Sequence, residues 1–290
     1  MTTFLLKLIA ICSMFIDHCG YVFYDNGWIS RELYNIMRTL GRTAFPIFVF
    51  LIANGFEKTR DVRAYLTRLC KFALLSQIPF VLAFRFSLSE YGESAVSLAQ
   101  PWWLLLPVLL IVGAVWFFTV RRDASVLWPL LALVAGVLEV RVAGLRLLTM
   151  KMNVFYTLAL GLAGICTLDA ALKSGRDWKK IAAWALAILA VFALIRSYAD
   201  YGYIGAMLIV CLYVVRDKRL SQVLLLVLWA AVTYLIGGTL GRFVFASLGG
   251  VLVYFYNNRY GPNIKRLFYW FYLAHLSLLG LLNLAAALLR

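Results

Sequence analysis

The sequence predicts an all-α integral membrane protein, a helical bundle of about ten or eleven transmembrane spans forming one domain over residues 1–290. Two observations carry this prediction. Hydrophobic residues make up 64% of the chain and charged residues only 14%, against roughly 25% charged in soluble domains, so a soluble core could not hide the apolar surface. Apolar runs of about 20 residues, enough to cross a hydrocarbon layer of about 30 Å, recur along nearly the whole length with short connections. No stretch is left over for a separate soluble domain.

Apolar runs and breakers place the spans near 3–24, 43–57, 64–86, 102–120, 125–140, 151–171, 178–196, 201–216, 220–238, 241–257 and 266–289. The first begins like a signal peptide, but Asp17 and His18 interrupt it and no small-residue cleavage site follows, so it is expected to be retained. Between the first two spans, Arg31 to Leu40 is too polar to cross and suits a short amphipathic helix in the interface.

Basic residues set the expected orientation. They gather after span two (Lys58, Arg60, Arg63, Arg68, Lys71), span six (Lys173, Arg176, Lys179, Lys180), span eight (Arg216, Lys218, Arg219) and span ten (Arg259, Lys265, Arg266). These connections fall on one side, which the positive-inside rule makes cytoplasmic, with the N-terminus inside and the C-terminus outside. Arg141, Arg146 and Lys151 would fall on the other side, so either they are paired or the fifth span is wrong. A net charge of +15 does not point to nucleic acid here, because the cations sit at span ends rather than along one face. Five cysteines, Cys12, Cys19, Cys70, Cys166 and Cys211, lie inside spans without metal-ligand or disulfide spacing and read as small packing residues, so no metal is expected. No fixed-period repeat appears, nor a matched pair of broken helices of the kind that marks a secondary transporter.

Ionisable groups are costly in hydrocarbon, so the few inside the spans are functional candidates. Asp17 and His18 lie in the first. Lys7 and His18 are eleven residues apart, which at about 100° per residue returns to nearly the same helix face, roughly 16 Å further along the axis. A cation near the surface thus stands below an imidazole deep in the membrane. That spacing suits an extended thioester whose phosphates meet the cation and whose reactive end reaches the imidazole, histidine being the natural general base near neutral pH. The plain alternative is that Lys7 snorkels and His18 pairs with a neighbouring helix. Asp17 lies about 100° round the helix from His18 and is better placed to orient a group on another helix. His275, the second of the two histidines, sits about 15 Å into the last span, either facing a cavity shared with His18 or packing among aromatic residues.

Other polar positions have two readings each. Asn54-Gly55 reads as a helix C-cap, and Arg42 as a headgroup anchor or an internal counter-charge. Asn153 and Thr157 share a face of span six and suit interhelical hydrogen bonds. Asp200-Tyr201-Gly202 reads as an interfacial turn with an aromatic anchor, and Tyr256 to Gly261 as a loop.

Taken in order, the Lys7–His18 stretch, Gly41-Arg42-Thr43-Ala44-Phe45-Pro46 through Asn54-Gly55-Phe56, Ser76-Gln77-Ile78-Pro79-Phe80, Asn153-Val154-Phe155-Tyr156-Thr157, Ala199-Asp200-Tyr201-Gly202 and Phe268 through Leu276 resemble the TraX family, named for the protein that acetylates conjugative pilin. The resemblance covers nearly the whole chain. A Lys or Arg eleven residues before a membrane histidine also resembles the wider class of polytopic membrane acyltransferases, in which a membrane histidine is catalytic and acyl-coenzyme A is the donor. The resemblance implies a multi-pass protein of the bacterial cytoplasmic membrane, lying among its lipids. It would move an acyl group, acetyl by preference, from cytoplasmic acyl-coenzyme A to an amine or hydroxyl of an envelope or exported acceptor such as a pilin, a peptide, a lipid or a glycan. His18 would be the base, with Asp17 and His275 beside it. Lys7, Arg42 and Asn54 would serve the coenzyme, and Asn153, Asp200 and Tyr201 the acceptor; Asn54, Asn153 or His275 could donate to the developing oxyanion. The family commonly has Gly where this chain has Asn258 and Pro where it has Leu273, so a differently shaped last loop and last span are expected. Two rival readings are a proton-coupled transporter or flippase using the same histidines and Asp17, and a structural partner in a pilus or secretion complex.

Overall fold

A computed structural model describes residues 1–84, 96–98, 140–142, 145–148, 152–173, 201–262 and 265–289. The predicted spans at 102–120 and 178–196, and that at 125–140 except for its last residue, lie outside the described residues. The others are helices, in order α1 (Thr3–Asp25), α2 (Arg31–Gly41), α3 (Ala44–Lys58), α4 (Val62–Leu75), α5 (Gln77–Phe84), α6 (Val154–Lys173), α7 (Gly202–Val214), α8 (Arg219–Ala230), α9 (Leu240–Tyr254) and α10 (Lys265–Leu288). The predicted amphipathic stretch is α2, which with α3 forms one apolar run of 28 residues. Span three is broken, α4 and α5 meeting at 41° around Ser76. The last turns of the ninth span widen to a π turn over Ala231–Leu235. The basic residues Arg63, Arg68 and Lys71 belong to α4 and not to a loop.

Among the described residues, three helices are long and apolar enough to cross a membrane, Thr3–Asp25, Arg31–Lys58 and Arg266–Leu288, and the bent pair α4–α5 makes a fourth if it is one span; shorter apolar helices cover the other described spans. The protein is a multi-pass integral membrane protein with a helical fold. One small sheet accompanies the helices: β1 (Val96–Leu98), β2 (Val140–Val142) and β3 (Leu145–Leu148), antiparallel in that order. Arg141 and Arg146, which disagreed with the charge rule, are register partners across β2 and β3.

Local chemistry explains the helix ends. Side-chain oxygens of Thr2, Ser30 and Asp61 accept from the amides of Leu5, Leu33 and Ala64 at 3.3, 3.3 and 2.9 Å, capping α1, α2 and α4. After Asn26, Gly27 takes φ of 73° while the Gly27 and Trp28 amides close on Tyr24 and Phe23 carbonyls at 2.9 and 2.8 Å. This is the paired closure that needs a left-handed residue and favours glycine.

The chain divides into two compact units, one of Met1–Glu57, Leu82–Phe86 and Leu208–Arg290, the other of Lys58–Val81 and Ser87–Met207. In the first, α1 runs parallel to α10. Lys7 Nζ stands 5.0 Å from the Phe268 ring centre, His18 meets His275, and buried Asn26 donates to Asn283 Oδ1 at 2.9 Å. His18 to Asn26 and His275 to Asn283 are equal steps, so the two helices stay in register over that length. Small residues let neighbouring helices close in, as expected where lipid supplies no hydrophobic drive between spans. A side chain on Gly249 would meet the Thr43 carbonyl at 2.5 Å, and one on Gly20 would meet Met37 at 2.7 Å. In the second unit α4 packs on α6, with buried Asn153 donating through Nδ2 to the Ala73 carbonyl at 2.6 Å and to Gln77 Oε1 at 3.1 Å. Two of the stretches that carry the family resemblance therefore meet there, around the bend at Ser76.

Candidate active site

His18, on α1, reaches His275, on α10, with 2.8 Å between its Nδ1 and His275 Nε2. The rings are nearly parallel, 14° apart with centres at 5.1 Å. His275 is 4% exposed, and His18 is the more open of the two. Phe15, Phe271, Tyr272 and Phe84 surround the pair, Phe84 lying edge-on to His18 at 4.9 Å.

Hydrogen bonds fix the tautomers. His275 Nδ1 lies 2.8 Å from the Phe271 carbonyl, which only accepts, so Nδ1 carries the proton. In a neutral ring Nε2 is then an acceptor, and the bond between the histidines must be donated by His18 Nδ1–H. His18 Nε2 is left bare, the form a general base requires. The same assignment uses up His275: its N–H goes to Phe271 and its lone pair to His18, so the neutral ring has no donor for an oxyanion.

Asp17 faces two arginines on the next stretch of chain. Arg38 Nη1 donates to Asp17 Oδ2 at 2.5 Å, and Arg42 Nη2 donates to Asp17 Oδ1. Arg42 also bonds the Arg38 carbonyl through Nε at 3.0 Å, and Arg38 lies over the Tyr21 ring at 5.5 Å. Asp17 is 6% exposed, and a carboxylate at such depth requires a counter-charge with well-formed hydrogen bonds. Arg42 is thus the internal counter-charge rather than a headgroup anchor, and it lies beside Asp17, next in sequence to His18, rather than at the Lys7 end. Arg38 was not anticipated, because on a polar helix it reads as a surface residue. The available signal was an aspartate deep in the first span that needs cations, with Arg38 and Arg42 one turn apart.

Gly41 makes this contact possible. A Cβ there would stand 2.2 Å from Asp17 Cβ, so Gly41→Ala is expected to push α2 off α1 and cost about 1–3 kcal/mol. A lowered unfolding temperature of the purified protein in detergent would be the readout, with Gly27, whose Cβ would meet nothing within 4 Å, marking the contrast between a crowded glycine and a turn glycine.

Asn54 is not a cap: α3 continues to Lys58, and Asn54 Nδ2 instead donates to Tyr256 Oη at 3.3 Å. Tyr256 Oη also pairs with Thr3 Oγ1 at 2.9 Å, one turn before Lys7 on α1. Asn54 and Lys7 therefore share the end of the unit opposite Asp17 along α1. Asn153 is committed to Ala73 and Gln77, and its Oδ1 accepts from the Phe155 amide at 3.1 Å; it and Tyr201 belong to the second unit. Tyr201 holds φ of 63° in the turn into α7, followed by Gly202 at 56°. Asp200 lies outside the described residues.

The two positions that depart from the family lie in the last loop and the last span. Asn258 takes φ of 61°, the left-handed region for which glycine is suited and which asparagine tolerates. At Leu273, α10 runs on unbroken.

Apolar helices closing on a histidine pair and on a carboxylate held by two arginines define a polytopic membrane protein with a polar centre inside its helices. The chain belongs to the TraX family: the sequence model described as TraX protein matches residues 3–145 and 106–283. It is also similar to the probable fimbrial assembly protein FimC, serogroup H1, of Dichelobacter nodosus, at 36% identity over 80 residues. That match covers 27% of this chain and 31% of the relative, about a third of its length. No solved structure matches.

Proposed function

We propose that the protein is a membrane acyltransferase, using acetyl-coenzyme A by preference and modifying an amine or hydroxyl of an envelope or exported acceptor of the fimbrial or pilin kind. The observation that supports this most is the bond from His275 Nδ1–H to the Phe271 carbonyl, because it leaves His18 Nε2 as the basic nitrogen. In the reaction, the acceptor N–H or O–H gives its proton to His18 Nε2 as the nucleophile attacks the thioester carbonyl carbon. The C–S bond then breaks, and the leaving thiolate takes the proton from His18. His275 holds the ring and accepts from Nδ1–H throughout, which favours the transient imidazolium. Lys7 and Asn54, toward the other end of α1, hold the coenzyme, and the Asp17–Arg38–Arg42 cluster fixes the wall beside the base. Asn153, Asp200 and Tyr201 are the acceptor-side candidates.

Purified protein in nanodiscs with acetyl-coenzyme A should release coenzyme A only when acceptor is added, and envelope proteins and lipids from cells lacking the gene should miss an acyl increment by mass spectrometry. Proton-coupled uptake with no thioester cleavage would overturn the proposal in favour of a transporter. The position of His275 makes a finer prediction. His275→Gln keeps an oxygen able to accept from His18 Nδ1–H, whereas His275→Ala removes it, so kcat should fall about tenfold further in the alanine variant, the value of one such hydrogen bond. Equal kcat in the two variants would show that the acceptor at this position is immaterial.

A further inference from the structure

The end of the first unit shared by Asn54 and the start of α1 holds a cation that the proposed reaction has not used. Arg219, at the first turn of α8, is half-buried. Its guanidinium lies over two rings, 4.8 Å from the centre of Phe50 and 5.2 Å from that of Tyr256. Its hydrogen-bond partners are neutral: Nη1 donates to Gln222 Oε1 at 3.0 Å and Nη2 to Asn258 Oδ1 at 3.4 Å. The acidic residue at the end of α3, Glu57, is taken by Arg216 Nε at 2.8 Å. Rings and amides orient the fork of Arg219, and the Glu57 carboxylate whose charge acts on it is bonded to Arg216 and not to the fork.

The surroundings are built rather than incidental. Tyr256, which carries one face of the guanidinium, is fixed through its hydroxyl by Thr3 and Asn54. The loop beyond it is clamped to the first residues of the chain, with the Thr3 and Phe4 amides donating to the Arg259 and Tyr260 carbonyls at 2.8 and 3.0 Å. Asn258, held in its left-handed conformation, supplies an oxygen that glycine would lack. Through Tyr256 and Thr3, Arg219 is linked to α1 one turn from Lys7. An arginine set in this way suits phosphate, whose oxygens accept two parallel N–H bonds from the planar fork.

We infer that Arg219 is a phosphate-binding residue for the nucleotide end of the acyl donor, acting with Lys7. This rests on the acyl-coenzyme A reading and makes it more specific: recognition would extend from the thioester at His18 to the phosphorylated nucleotide at Arg219. Selectivity for a coenzyme A thioester over a short pantetheine thioester would arise at this end.

The test uses the full-length protein in nanodiscs, with coenzyme A and pantetheine as probes and binding measured by calorimetry. Arg219→Gln is expected to weaken coenzyme A binding about tenfold or more, the loss of a charge-assisted hydrogen bond, and to leave pantetheine binding unchanged. Arg219→Lys, which keeps the charge and loses the fork, should fall between. Should the Gln variant not be recovered folded, the Lys variant decides alone: weaker coenzyme A with unchanged pantetheine supports the inference. Coenzyme A binding equal to wild type in the recovered variant overturns it while leaving the acyltransferase reading in place. Failure of the wild-type protein to bind coenzyme A at all overturns both.

Discussion

His18→Ala is expected to lower acyl transfer by about 10²–10⁴-fold, the range contributed by a positioned general base, while acyl-coenzyme A binding remains because the coenzyme is held toward the other end of α1. The loss should lie in kcat rather than KM. Alanine leaves a small apolar gap beside Phe84 and removes the donor to His275, whose lone pair is then unmet; a modest loss of stability accompanies the kinetic one and is separated from it by measuring binding and unfolding on the same preparation. Transfer that persists in this variant at normal expression would rule out His18 as the base.

Asp17→Ala should have the largest effect on stability, about 3–5 kcal/mol, because it strands two guanidinium groups that were brought out of water on the strength of one carboxylate. The effect is of one partner missing and not of polarity lost. Replacing all three, as Asp17→Leu with Arg38→Leu and Arg42→Leu, should therefore recover much of the stability, since no buried charge remains unpaired. Thermal unfolding in one lipid or detergent system compares the three proteins. A triple variant less stable than Asp17→Ala would mean that the cluster contributes more than it costs.

Apolar runs and breakers alone located the described helices to within a few residues, because a span must be long and apolar whatever it packs against, and α1 from Thr3 to Asp25 answers the predicted 3–24 closely. The polar partnerships were less legible. His18 and His275 are in different spans, and that they touch depends on the register of α1 against α10, which sequence spacing within one helix does not specify. Asp17 needed a cation, but the nearby sequence offered Lys7, Arg38 and Arg42, and only the fold of α2 back along α1, made possible by Gly41, selects the last two. Asn54 looked like a cap because Asn-Gly often ends helices; here tertiary packing carries α3 past it and turns its amide to Tyr256. Asn26, just past the first span, and Asn283, inside the last, were passed over, although the two side chains meet between the parallel helices.

The bond between His275 and the Phe271 carbonyl joins residues four apart on one helix. Side chains on a helix lean toward its N-terminus, while its carbonyls point toward the C-terminus and its amides the other way. A ring nitrogen held one turn above a carbonyl can only give a proton to it. The tautomer of the pair is consequently dictated by geometry internal to α10, whichever way that helix is threaded, and rigid displacements of α10 against its neighbours would leave the local bond and the spare lone pair on His18 in place.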